Sequence, residues 1–355
     1  MSKQEQFARW LNDGVRPIIT LERVMDRLHL DQETLCPPAN YDIAGQERAH
    51  IAGIHARLLT DPAFVATTQS LLAEDGLNIE QRACVVAMHR QIERMQRIPK
   101  EILVAIEAQS ALLGNLWRDL RSGGGSEAEY LQQWQTLVTL KREQSRAMGI
   151  GSHPYDAMLD EFDPGSRTAE LLPLLQEQVA IVRPLLSRVL SQPQVPTGIL
   201  ELPYPPRRVV AFAKRVICHF GLRPSRARFL KTHHQQMAGL SMHDVRIMLR
   251  RRFPGQRSAH DGVMHEGGHG IYEQGFHPKW WHTPMARAIS IVVHESQSLW
   301  FERFLGHSRS FWQWCFPLFR DQFLKLGLDT IPLETGRPYI QPLLNFFATR
   351  ARRRR

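Results

Sequence analysis

Two histidines four residues apart enclose a glutamate in His265-Glu266-Gly267-Gly268-His269. On an α-helix this spacing puts both imidazoles on one face, one turn apart, so both can aim a nitrogen at one cation. Neutral imidazoles bind Zn2+ without cancelling its charge, which lowers the pKa of a bound water towards ~7. Glu266 projects from nearly the same side as His265. A carboxylate there that does not ligate can take a proton from the water and later pass it to a leaving amine. The segment therefore reads as an HExxH helix holding Zn2+, with Co2+ or another divalent ion chemically acceptable. Its ligands are His265 and His269, and its general base is Glu266.

An exposed or capping histidine pair is the alternative for these five residues taken alone, and their surroundings oppose it. Eleven of the sixteen histidines lie between His219 and His307. Val263, Met264, Ile271 and Tyr272 give the helix an apolar side to bury. Gly267, Gly268 and Gly270 each cost roughly 1 kcal/mol relative to Ala in a helix interior. Such a run makes sense where another backbone or a ligand must come close.

Catalytic zinc takes three protein ligands and keeps one position open. Residues 289–302 (ISIVVHESQSLWFE) supply the third candidate. The stretch is apolar enough for a buried helix, yet carries His294-Glu295 in its middle. An ionised glutamate there is costly unless paired or coordinated, so Glu295 is the expected third ligand. An ion pair to Arg246 or Arg287 is the competing explanation for it. His294 either donates a hydrogen bond from behind a ligand or fills space. Glu302, two turns on, belongs behind the ligands or at the surface.

The elements that must position these residues are mostly helical. Residues 44–60 place Ile51, Ile54 and Leu58 on one face. Residues 80–97, 101–121, 127–148 and 168–191 show similar periodicity and are rich in good helix formers. Gly123-Gly124-Gly125 and Asp163-Pro164-Gly165 interrupt them, and the five prolines of 192–206 make that stretch extended or irregular. This is the best internal boundary, as a linker or as a long loop within one domain. Val245, Ile247 and Leu249 are apolar, with charged Asp244 and Arg246 at the alternate positions. The pattern suits a short half-buried strand paired near 229–232, with helix as the competing reading. The expected architecture is mainly α, a large helical body with a small sheet beside the chemistry.

Composition excludes several classes. At 355 residues with 43% hydrophobic and 23% charged residues, the chain is an ordinary globular one. No stretch approaches the roughly 20 apolar residues that cross a bilayer, and no secretory signal opens it. Cys36, Cys84, Cys218 and Cys315 are scattered, which fits a reducing cytoplasm better than a disulfide framework. Much of the net charge of +10 comes from Arg250–Arg252 and the terminal arginines 350 and 352–355. With no nucleic-acid module in view, these read as solvated charge, not as a specific nucleic-acid surface.

HEGGHGIYEQG followed by HESQS resembles the carboxypeptidase Taq (M32) family of metallocarboxypeptidases. HPYDAMLDEFDPG at 153–165, Asp244-Val245-Arg246 and GHSRSFW at 306–312 are similar to it as well. The resemblance implies His265, His269 and Glu295 as ligands and Glu266 as base. It further implies a zincin-like helical ellipsoid with a deep groove, frequently a homodimer, that removes single C-terminal amino acids from peptides. There are departures. Met248 stands where the family's DxRxT has threonine, and His234-Gln235-Gln236 stands where it has HPF. The family's later IRxxAD motif has no counterpart. Similarity ends near Glu334, so residues 1–335 are expected to form a C-terminally incomplete family domain. Residues 336–355 are expected to be an unrelated basic tail, left by a frameshift or early truncation. Such a loss would expose apolar surface and could leave a metal-binding homologue that lacks a pocket for the substrate carboxylate.

Overall fold

A computed structural model of the chain describes residues 2–192 apart from Ser122, 205–250 apart from His233, and 256–323. Most of the prolyl stretch, Arg251–Arg252 and the tail 336–355 lie outside the described residues. Contacts divide the chain into two compact units, Met1–Ile18 with Gly53–Leu186 and Ile19–Ala52 with Ser187–Arg355.

The first unit is helical. After α1 (Lys3–Arg9) and a π-helical turn (Trp10–Val15), the chain enters α2 (Arg16–Thr34) and α3 (Tyr41–Leu59), most of which belong to the second unit. It then returns as α4 (Pro62–Leu72), α5 (Ile79–Arg97), α6 (Lys100–Arg121), α7 (Glu127–Met148), α8 (Asp156–Phe162) and α9 (Thr168–Leu190). Local chemistry sets the starts. Ser2 with Glu5 and Asn78 with Gln81 form reciprocal caps, and the Asp61 carboxylate accepts from Ala63 and Phe64. Trp10 stacks on Phe64 and donates to the Thr68 hydroxyl at 2.8 Å, so its buried indole N–H is satisfied. The periodic segments at 44–60, 80–97, 101–121, 127–148 and 168–191 coincide with α3, α5, α6, α7 and α9. Helix α9 has no buried residue, and Leu174, Leu175 and Ile181 on it are exposed.

The second unit holds α10 (Pro206–His219), β1 (Ala227–Thr232), β2 (Gln236–Ser241), β3 (Asp244–Arg250), α11 (Gln256–Gln274), α12 (Ile291–Leu299), a π-helical turn (Trp300–Leu305) and α13 (Arg309–Phe323). The sheet order is β1-β3-β2. β1 runs parallel to β3 with Phe229 opposite Ile247, and β2 runs antiparallel with Met237 opposite Ile247. The strand expected at 244–249 and its partner near 229–232 are therefore present. Both faces of β3 are covered. Val245, Ile247 and Leu249 pack with Val263 and Met264 of α11 and Ile217 of α10, whereas Met248 meets Leu30 and Leu240 on the other face. This mainly helical fold with a small sheet against the HExxH helix is the architecture anticipated from sequence.

Candidate metal centre

Helix α11 is set by its neighbours through its glycines. A Cβ on Gly268 would stand 2.9 Å from the Gln297 carbonyl oxygen and 3.0 Å from Ser298 Cα, so the backbone of α12 lies directly on it. One on Gly267 would run into the Ile217 side chain of α10, and Gly270 faces Leu222 and Val245. The expected close approach is thus made by protein backbone and core side chains. It brings α12, and Glu295 with it, against the histidine face.

His265 and His269 lie with ring centroids 5.0 Å apart. Glu295 Oε2 is 3.4 Å from His269 Nε2 and 3.7 Å from His265 Nε2. These distances are too long for good hydrogen bonds, which prefer about 2.7–3.2 Å. They lie at or just beyond the spacing of donors around one ion, because bonds of about 2.0–2.2 Å in a tetrahedron put ligand atoms about 3.3–3.6 Å apart. Glu266 joins the group: one ligand-capable atom each from His265, Glu266 and His269 lies within 4.8 Å of the others. Of the two carboxylates, Glu295 has an oxygen within 3.7 Å of both Nε2 atoms, which makes it the better-placed candidate for a third ligand, although Glu266 is the one in the tighter group. The donor set of two imidazoles and a carboxylate fits Zn2+.

The groups behind the donors set their protonation. His265 Nδ1 is 2.8 Å from Glu302 Oε2, a pairing that fixes the tautomer with Nε2 free to ligate. Burial works to lower the His265 pKa, but the bond to Glu302 and the charges of Glu266 and Glu295 hold it above its ordinary value. His269 is pushed down to about 3 by burial and by His294 and His265, so it is neutral. Burial, helped by the negative charges of Glu295 and Glu302, raises Glu266 to about 7 against the opposing pull of His265. His294 stacks on His269 at 4.1 Å and lies 3.4 Å from Glu273 Oε1.

Several expectations are corrected. Arg246 is paired with Asp244 through two contacts of 2.5 and 2.9 Å, and Arg287 with Glu22 and Asp26, so neither accounts for Glu295. Alternation puts Arg246 on the sheet face with Met248, away from α11. The segment at 289–302 is not a buried helix. Ile289 is 73% exposed and Val292 57%, whereas Ser298 and Glu302 are buried and Glu295 is partly exposed beside the two histidines. Sequence reasoning passed over Asp261 and His307, which pair at 3.1 Å beside Glu302. No spacing rule joins residues 46 positions apart.

The family model for carboxypeptidase Taq (M32) metallopeptidases matches residues 11–334. Thermostable carboxypeptidase 1 of Thermus thermophilus is 31% identical over 310 residues, covering 84% of this chain and 61% of that protein. Carboxypeptidase 1 of Bacillus subtilis is 26% identical over 267 residues, 72% of this chain and 52% of its own length. The crystal structure of the M32 carboxypeptidase from Deinococcus radiodurans superposes with a TM-score of 0.82 at 26% identity, covering 90% of this chain and 64% of that one. The chain thus spans less than two thirds of the length of these relatives.

Proposed function

The chain belongs to the carboxypeptidase Taq (M32) family of metallopeptidases, and we propose that it removes single amino acids from the C-termini of peptides. The ligands in this reading are His265, His269 and Glu295, and the cation is Zn2+, with Co2+ or another divalent ion able to replace it. The single observation that carries it is the convergence of Glu295 Oε2 on both Nε2 atoms at 3.4 and 3.7 Å.

A cation bound there would polarise the scissile carbonyl and lower the pKa of an attacking water. Glu266, buried and raised to about 7, takes the proton from that water at neutral pH and returns it to the departing amine. Glu302 keeps the Nδ1 side of His265 occupied, which leaves its Nε2 for the cation, and His269 stays neutral and able to ligate. Peptide C-termini are the partners of this reading, in a reducing cytoplasm where Cys36, Cys84, Cys218 and Cys315 are free thiols. A homodimer is the expected assembly.

One observation favours a second reading, a metal-binding homologue impaired in catalysis. An exopeptidase needs a cationic group for the terminal carboxylate, and Arg246 is engaged by Asp244 on the far face of the sheet. Assaying zinc content and release of C-terminal residues beside Glu266→Gln separates the two. Release that the substitution abolishes supports the peptidase. One zinc per chain with no release supports the impaired homologue.

A further inference from the structure

We propose that helix α9 is an interaction surface for a second copy of this chain, and that the two α9 helices pack antiparallel about Ala180. This seam rests on the homodimer already expected, and it is independent of the chemistry at His265 and His269.

The helix runs from Thr168 to Leu190 and has no buried residue. Leu175, Val182 and Leu185 are 56%, 54% and 41% exposed, and Leu171 and Val189 are half-buried. A surface helix normally turns its apolar stripe into its own core. Here that stripe is left open.

Its pattern describes what fits against it. Leu171, Leu175, Gln178, Val182, Leu185 and Val189 follow one another at intervals of four, three, four, three and four residues. Such a row, repeating every 3.5 residues on average, is the seam of two paired helices. Pro173 and Pro184 fall on the opposite side, so their rings and missing N–H groups do not meet a partner helix.

The row matches itself when turned end to end. Leu171 then lies against the partner's Val189, Leu175 against the partner's Leu185, and Gln178 against the partner's Val182. Gln178 is the single polar member of the row and comes within reach of the partner's Gln178 near the two-fold axis. Each amide can donate to and accept from the other, and one polar residue in such a row fixes its register.

Charge selects the same direction. Glu170 and Arg188 are eighteen residues apart, five turns, and so share one flank of the row. Among the described residues neither has an ion-pair partner in its own chain. Antiparallel pairing sets Glu170 against the partner's Arg188, and Arg188 against the partner's Glu170. Parallel pairing would set like charges side by side, and flanking charges of this kind decide orientation.

Sedimentation equilibrium of the native chain over a wide concentration range should show a reversible dimer. Leu175→Glu puts an unpaired carboxylate into the row and should weaken the dimer by about tenfold or more. Glu170→Arg and Arg188→Glu should each weaken it by about fivefold. The two reversals combined should restore native strength, which a folding defect cannot imitate. Disulfide trapping, read against the native chain under the same oxidation, reports the register. Leu175→Cys mixed with Leu185→Cys should cross-link, and neither should cross-link with itself, because like positions stand roughly 15 Å apart along the seam. A native chain that stays monomeric would overturn the seam and the homodimer together. A dimer of native strength in Leu175→Glu and in both charge reversals, or cross-links between like cysteines, would overturn the seam and leave the homodimer standing.

Discussion

His265 Nδ1 and Glu302 Oε2 lie 2.8 Å apart, joining the first residue of the HExxH motif to a carboxylate 37 positions later. The contact decides which nitrogen of His265 faces the cation. Glu302→Gln weakens the acceptor and frees the tautomer. Loss of such a supporting group typically costs about 10–100-fold in metal affinity. Competition against a calibrated chelator measures this, and an affinity equal to that of the native chain would disprove the role.

Gly268 tests how α12 is seated. An alanine Cβ would sit 2.9 Å from the Gln297 carbonyl, so the helix carrying Glu295 must move. Overpacking of this kind typically costs about 1–3 kcal/mol. Gly268→Ala should lower both the thermal midpoint and zinc affinity. By contrast, Gly45→Ala in α3 meets no atom within 4 Å and should not weaken zinc binding.

Metal uptake depends on pH through His265. Its pKa lies above 6.5 in the metal-free chain, and the protonated imidazole cannot ligate. Zinc affinity should therefore fall as pH drops through that raised value and level off above it. His269, already neutral down to about 3, adds little to this dependence near neutrality. Isothermal titration in two buffers of different ionisation enthalpy reads the proton released, expected from His265 and absent in His265→Gln.

Stability has its own pH signature in the first unit. Asp156 accepts hydrogen bonds from Thr168, at 2.7 Å to the backbone N–H, and from the His153 and Ser152 amides, which hold its pKa below the ordinary 3.8. A depressed carboxylate stabilises the fold fully above its unfolded pKa, and that contribution is lost as pH falls through the folded value. Asp156→Asn should lower the thermal midpoint at pH 7, with the gap to the native chain narrowing below about pH 4. A gap that stays constant to pH 3 would contradict the assignment.

The outward side of the 289–304 region is apolar. Trp300 and Phe304 stack at 5.5 Å and are 57% and 56% exposed, and Ile289 and Val292 are exposed as well. Exposed stacked aromatic surface of this kind favours association. Sedimentation velocity should show concentration-dependent self-association that Trp300→Ser with Phe304→Ser reduces.

How far the sequence could be read follows from how local each determinant is. His265, Glu266 and His269 sit within one helical turn and a third, so spacing alone grouped them. Gly267 and Gly268 announced close packing because their helix cost has no local compensation. β2 escaped notice because Gln236–Ser241 lacks clean alternation and carries Gly239. Spacing places Glu302 only loosely, since it lies in the π-helical turn that breaks the α-helical periodicity of α12. The apolar run at 289–293 reads as buried, yet Ser298 and Glu302 are the buried residues of this segment. Hydrophobicity along a helix does not say which face meets the rest of the molecule.

Zinc affinity of Glu295→Ala against the native chain tests the central claim most directly. In the proposed centre Glu295 is the ligand that joins α12 to the HExxH helix, and the account predicts a loss of about a hundredfold or more, an ion–ligand bond being worth at least the upper range found for supporting groups. Equal zinc affinity in the two proteins would contradict the centre assigned to His265, His269 and Glu295.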